Sequence, residues 1–324
     1  MNHILVSTAD EKNIKMQRKV IGIGETIMDI IFKDGVPTAA VPGGSVFNGI
    51  ISLARLGVNV SLISETGNDK VGDQIIDFLE DNGVEHSGVI QYVNGRSAIS
   101  LAWLNERNDA EYMFYKDYPS ARLEVNWPEI NDNDIVMMGS YFVLNPVLRN
   151  KVKDFLEYAR KSGALIYYDF NFRSSHKNEA IKIYADMLEN LEYADIVRGS
   201  VEDLENLFGN NNPEKVYSKE IEFYCKNFIC TDASGDIILH TPSVKKNYKV
   251  EKIDTVSTIG AGDNFNAGVV YGLIKYGIMR EYISNLNELQ WNNIIQCGKD
   301  LATDVCKSFN NSISIEFAKN YIDK

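Results

Sequence analysis

Ile253-Asp254-Thr255-Val256-Ser257-Thr258-Ile259-Gly260-Ala261-Gly262-Asp263-Asn264-Phe265-Asn266-Ala267-Gly268 is the stretch from which the rest of the chain can be read. Apolar residues follow at Phe265, Val269, Val270, Leu273 and Ile274, a helical spacing that begins directly at the glycines. Gly260-Ala261-Gly262 therefore reads as a turn that opens a helix. Its small residues let backbone N–H groups approach a ligand, and a first helical turn carries unpaired donors and the positive end of the dipole. Such a turn binds anions. Asp263 stands in the same first turn, where the dipole favours a carboxylate even in an ordinary helix start. An anion-binding turn with one carboxylate at its mouth also meets the needs of phosphoryl transfer: donors for the transferred group and a base for the attacking hydroxyl.

The composition limits what else the chain can do. Its 324 residues suffice for one large α/β domain or two small ones, and 44% hydrophobic residues can fill a sizeable core. With 45 acidic against 33 basic residues the net charge is −12, which disfavours nucleic acid and anionic membranes as partners. A nucleotide must then be held by local donors. Cysteines at 225, 230, 297 and 306 and histidines at 3, 86, 176 and 240 give neither zinc spacing nor a disulfide framework, so reduced, buried thiols are expected. No run of 18 apolar residues suggests a membrane span, and residues 1–18 read as a polar tail without a signal-peptide core. The expected setting is the cytoplasm.

Upstream of the glycine turn, the apolar run from Val20 to Phe32 fits a buried parallel strand. Its Gly22-Ile23-Gly24 is not a dinucleotide fingerprint, because Ile27 holds the third glycine position and no helix follows; a P-loop is absent as well. Asp29 breaks this run with a charge, either as a strand-end carboxylate facing water or as a ligand group. Pro42-Gly43-Gly44-Ser45 feeds a helix, with Ser45 as its expected cap and Asn48 one turn in, where an amide can donate and accept toward a polyol. Residues 97–104 and 111–116 predict two hairpin strands around residues 105–109. From Asp134 onward strands and helices alternate, which implies a parallel sheet wrapped by helices with ligands at the carboxyl ends of its strands. Asp169-Phe170-Asn171-Phe172-Arg173 sits at such an end, as a turn with an Asp-Arg pair or as part of a site. Ser200 with Asp203 three residues on is a near capping box. Thr231 to Asp236 closes a further strand.

These motifs together resemble the ribokinase/fructokinase family, the PfkB-type carbohydrate kinases, over roughly residues 19–318. The resemblance implies a three-layer αβα sandwich with a mostly parallel sheet, and a small β-strand lid drawn from about 31–40 and 89–117. It implies that Gly260, Ala261 and Gly262 form the anion hole and that Asp263 is the catalytic base. Asp29, Gly43, Gly44 and Asn48 would contact the sugar, and Asp169, Asn171 and Arg173 the substrate or its phosphate. Ser200, Thr231 and Gly235 fall on the nucleotide side. Asp203 would reach magnesium through water, with Glu202 as the rival carboxylate. ATP and Mg²⁺ are the implied cofactors. A monovalent cation is in question, because Asp254-Thr255 lies three positions too early and Ser257-Thr258-Ile259 precedes the turn instead. Gly67 to Gly72 matches a segment read as structural. Phe114-Tyr115-Lys116 resembles the Phe-Tyr-Arg of fructokinases and favours fructose; ribose, 2-keto-3-deoxygluconate and nucleosides stay open. The departures at Ser200, Ser257 and Ala233 leave a sugar-binding regulatory protein as the alternative. A homodimer sharing lid strands is a further expectation of the resemblance.

Overall fold

In the computed structural model, residues 18–105, 110–232, 235–251 and 253–323 are described. Residues 1–17 of the expected tail, the tip of the hairpin at 106–109 and the Ala233 departure fall outside them, whereas Arg18, taken as the end of that tail, is buried and donates to the Asn133 and Ile278 carbonyls. Strand β1 (Lys19–Ile23) has Val20, Ile21 and Ile23 fully buried, so both of its faces are covered. A strand of this kind belongs in the middle of a parallel sheet. Further strands are β2 (Ile27–Lys33), β3 (Val36–Gly43), β4 (Asn59–Gly67), β5 (Glu85–Tyr92), β6 (Arg96–Leu104), β7 (Ala110–Asp117), β8 (Ile135–Gly139), β9 (Leu165–Asp169), β10 (Ile196–Ser200), β11 (Phe228–Thr231), β12 (Asp236–His240) and β13 (Lys245–Lys249).

Nine of these strands form the main sheet in the order β13-β12-β11-β10-β9-β8-β1-β4-β5. The run from β11 to β5 is parallel, and β12 and β13 close one edge as antiparallel strands. Helices Ser45–Arg55, Ala261–Lys275 and Glu288–Val305 cover one face over a core that includes Phe47, Phe265 and Trp291. Helices Arg149–Lys161, Ala180–Tyr193 and Val201–Phe208 cover the other, over Phe155, Tyr168 and Phe172. This is the expected three-layer α/β sandwich. The chain leaves β1 toward β4 on one side and returns through β8 on the other, so the carboxyl ends of β1 and β8 flank the switch point where such folds bind ligands.

A second sheet, β3-β2-β6-β7, stands over that crevice. Here the structure departs from the single strand expected between residues 20 and 32. The run breaks at Gly24-Glu25-Thr26, β1 stays in the main sheet, and β2 passes into the lid beside β6. The Thr26 hydroxyl fixes the crossing by donating to the Glu65 carbonyl at 2.8 Å. The lid therefore uses β2 and β3 and begins its second half at Arg96; β5, expected within it, pairs with β4 in the main sheet. Asp69 ties the two sheets together, capping helix Lys70–Asp81 through Val71 and Gly72 while accepting from the Ser97 backbone N–H at 2.9 Å and its hydroxyl at 2.6 Å. All four cysteines are free and buried, and no helix among the described residues is long and apolar enough to cross a membrane.

Candidate active site

Helix Ala261–Lys275 starts from Gly260, whose φ of 78° is left-handed. A Cβ there would also lie 2.8 Å from the Asn311 carbonyl, so conformation and space both call for glycine. The turn delivers Asp263 into a cleft of about 370 Å³ at the switch point. Asp263 is only 6% exposed, and burial pushes its carboxyl above the ordinary value, opposed by the Asn48 hydrogen bond and the Arg173 and Arg198 cations. The Asn48 amide donates to one Asp263 oxygen at 2.8 Å, and the Asn171 amide lies 3.5 Å from the other. Asn171 holds φ 35°, a conformation that asparagine tolerates better than most residues.

Asn48 comes from helix Ser45–Arg55, one turn in, as the spacing predicts. The cap differs. Gly44, at φ 130°, occupies the N-cap position, and an added Cβ would strike the Glu25 carbonyl at 2.1 Å. Ser45 is the first helical residue; its side chain lines the cleft and helps keep Asp263 ionised. The serine serves the site because glycine alone can make the turn.

Asp29 does not face bulk water. It lies inside β2, 5% exposed, and accepts from the Ser100 hydroxyl on β6 and from the Asn311 amide at 2.8 Å. Burial pushes its carboxyl up to about 6 against those two hydrogen bonds. Gly43 sits behind this pair, where a Cβ would come within 2.4 Å of the carboxylate and 2.7 Å of the Asn311 amide. Arg173 lines the cleft, where its side chain meets solvent, with its guanidinium 5.3 Å from the Tyr112 ring of β7. Tyr112 and Phe114 stack at 5.7 Å and roof the cleft from the lid, while Tyr141 and His176 stack at 3.9 Å along its wall.

The cleft thus gathers Asp29, Gly44, Asn48, Asn171, Arg173, Gly260 and Asp263. Asp169 is placed otherwise. It is 2% exposed and turned inward, accepting from Asn266 at 2.7 Å and Arg198 at 3.0 Å. Thr231, at the end of β11, accepts from the same guanidinium. Ser200 and Asp203 form a complete capping box on helix Val201–Phe208, and the second Asp203 oxygen accepts from the Phe172 N–H at 2.6 Å. Gly235 makes a turn at φ 104° between β11 and β12. None of these five residues lines the cleft. Asp254 is exposed, and the Ser257 hydroxyl is engaged by the Ile259 N–H at 3.1 Å. No group of three or more His, Cys, Asp or Glu side chains among the described residues forms a metal cage.

Asn311, Ser100 and Arg198 were not among the candidate residues. Asn311 and Ser100 lie 282 and 71 positions from the carboxylate they serve, so no local pattern marks them. Arg198 left one signal, a charge inside the apolar strand Ile196-Val197-Arg198-Gly199, which demands a buried partner.

A family model described as pfkB family carbohydrate kinase matches residues 17–316. Fructokinase-1 of Oryza sativa subsp. japonica is 28% identical over 286 residues, covering 79% of this chain and 83% of the rice protein. Fructokinase from Vibrio cholerae O395, solved with fructose, ADP and calcium ion bound, superposes with a TM-score of 0.82 at 18% identity over 95% of this chain and 99% of that one. Aminoimidazole riboside kinase from Salmonella enterica, complexed with aminoimidazole riboside and an ATP analog, gives 0.77 at 19% identity over 94% and 100%. At such identities the solved structures establish the fold. Because the family model spans nearly the whole chain, and the glycine turn and its acid meet in one cleft, the protein belongs to the pfkB family of carbohydrate kinases and is a phosphotransferase with an alcohol acceptor.

Proposed function

We propose that the protein transfers the γ-phosphoryl group of ATP to a primary hydroxyl of a sugar, with fructose as the preferred acceptor. The observation that carries this reading is the pairing of Asp263 with the Gly260 turn inside one cleft that also holds Asp29 and Asn48. Asp29, fixed by Ser100 and Asn311, keeps lone pairs free to accept from sugar hydroxyls. Asp263 takes the proton of the attacking hydroxyl as its oxygen bonds to the γ-phosphorus and the bond to the leaving ADP oxygen breaks. The Gly260 turn would present N–H donors to the charge gathering on the transferred group, with the exception of Ala261, whose N–H donates to the Thr258 carbonyl at 3.2 Å. The lid, with Tyr112 and Phe114, excludes water that would otherwise compete as acceptor.

Magnesium is expected to arrive with the nucleotide, and its chemistry is to neutralise phosphate charge. Exposed Glu202 could reach such an ion, and Asp203 could do so through water. The exposed Asp254 supplies no buried carboxylate before the turn, so dependence on potassium is read from the assay below. The names of the rice and Vibrio proteins support fructose, as do Phe114, Tyr115 and Lys116 on the cleft wall. A homodimer through the lid is supported by exposed apolar residues on its two edge strands, Val36 on β3 and Met113 and Tyr115 on β7. A coupled ADP-release assay over fructose, ribose, 2-keto-3-deoxygluconate and nucleosides, with and without potassium, tests the assignment. Fructose giving the highest kcat/KM supports it; sugar binding without ADP release from any acceptor defeats it in favour of a sensor.

A further inference from the structure

Arg198 is 7% exposed and stands behind the glycine turn, not in the cleft. An ideal Cβ on Gly262 would lie 3.1, 3.3 and 3.5 Å from its Nη2, Nη1 and Cζ atoms, so the guanidinium sets its Nη1–Nη2 edge against the turn. Nη1 donates to Asp169, Nη2 to Thr231, and Nε has no partner among the described residues. Asp169 is held in turn by Asn266, whose oxygen accepts from the Tyr167 hydroxyl at 2.8 Å. The group joins the ends of β9, β10 and β11 to the helix that carries Asp263.

A buried ion pair is poor evidence of stabilisation by itself, since desolvation offsets its attraction. An unpartnered Nε proton adds to that cost. What the arrangement does provide is a fixed cation among buried acids: Asp29, Asp169, Asp203 and Asp263 are each at most 6% exposed. Without it, a polyanionic nucleotide would meet an uncompensated carboxylate directly behind its binding turn. We infer that Arg198 is a positioning residue for phosphoryl transfer: clamped by Asp169 and Thr231, it braces the Gly260 to Gly262 turn and supplies the positive charge behind it. Asp169 and Thr231 thereby act on the phosphate site through Arg198, instead of touching sugar or nucleotide.

The groups that bear on Asp263 are Asn48 and Ser45 from their helix, Asn171 and Arg173 after β9, Arg198 on β10, and Tyr112, Asp29 and Asp169 around them. Removing Arg198 takes away one of the two cations that favour the ionised base. The test is the pH dependence of kcat for wild type, Arg198→Met and Arg198→Lys. Arg198→Met is expected to move the acid limb up by about one pH unit, the size of effect a neighbouring opposite charge has on a carboxylate. Its plateau should fall at least about tenfold while the sugar KM stays within about threefold, because the loss is in the transition state. Arg198→Lys, which keeps the charge without the planar two-pronged donor, should leave the limb in place and lower the plateau. A folded Arg198→Met protein with the wild-type limb and plateau overturns the inference, as does an Arg198→Lys limb displaced like that of Arg198→Met. If Arg198→Met does not fold, the Arg198→Lys limb decides alone by the same criterion.

The inference rests on the phosphotransfer reading above, and the two can fail separately. Wild-type protein that releases no ADP with any acceptor defeats that reading. Calorimetric titration with ATP and with adenosine then decides: Arg198→Met should weaken ATP at least about fivefold and leave adenosine unchanged, as expected for loss of a local charge. Unaltered ATP affinity overturns the role of Arg198.

Discussion

Asp263→Asn is the substitution on which the assignment can be tested most directly, because the structure indicates that the change removes a base and little else. The carboxylate is buried and accepts from the Asn48 amide nitrogen at 2.8 Å. The carbonyl oxygen of the new amide can accept the same Asn48 N–H, so the bond that positions the side chain is kept. Asp29, Ser100 and Asn311 form a separate network and stay in place. The loss is then that of general-base assistance, two to four decades in kcat or ~2.7 to ~5.4 kcal/mol of barrier. The assay is ADP release coupled to NADH oxidation, with saturating ATP and varied sugar, alongside a thermal melt. Turnover at least about a hundredfold lower with sugar KM within about threefold is the expected outcome. A variant that keeps wild-type turnover refutes the role of Asp263, and one that loses sugar binding in proportion refutes the separation of the two networks.

Asp29→Asn should trade function for stability. The folded carboxyl at about 6 lies above its ordinary 3.8, so the native state binds more protons between those values and loses stability as pH rises through 6. Removing the charge should therefore raise the unfolding free energy by up to about 3 kcal/mol at pH 8 and hardly at pH 4, read by urea melts at both pH values; an equal effect at both would refute the burial argument. For Asp263 the same sign predicts that kcat falls on the acid side, at a pH above that of an ordinary carboxylate. Gly260→Ala must place a side chain at φ 78° and 2.8 Å from the Asn311 carbonyl, so a stability loss of about 1–2 kcal/mol or more is expected from backbone strain alone, together with lower kcat. Light scattering should give twice the monomer mass, and Tyr115→Glu on the exposed lid edge should shift it toward one copy; an unchanged mass would remove that edge from the interface.

Much of the architecture was legible because it is written locally. Apolar strands such as Leu165 to Tyr168, buried on both faces, and the glycine turn ahead of Phe265 carry their own pattern. The break between β1 and β2 does not. Both halves are apolar, and the separation is decided by a lid pairing with residues about 70 positions away and by Thr26 bonding to Glu65. The site divides in the same way. Asp29, Asn48 and Asp263 could be named from their own neighbourhoods, whereas Asn311 reaches Asp29 only because the loop between helices Glu288–Val305 and Ile315–Ile322 folds back onto β2. Asp169 and Thr231 were found as strand-end residues, but their direction depends on a third residue, Arg198, to which both are committed. Ser200 and Asp203 read equally as a cap or as a ligand pair, and they complete the cap.

Asp29 belongs to β2 of the small sheet and Asp263 to the helix over the main sheet, so these two carboxylates of the cleft are carried by different layers of the molecule. A molecule bonded to both would tie those layers together, and any drift of one layer against the other would change the gap it has to span.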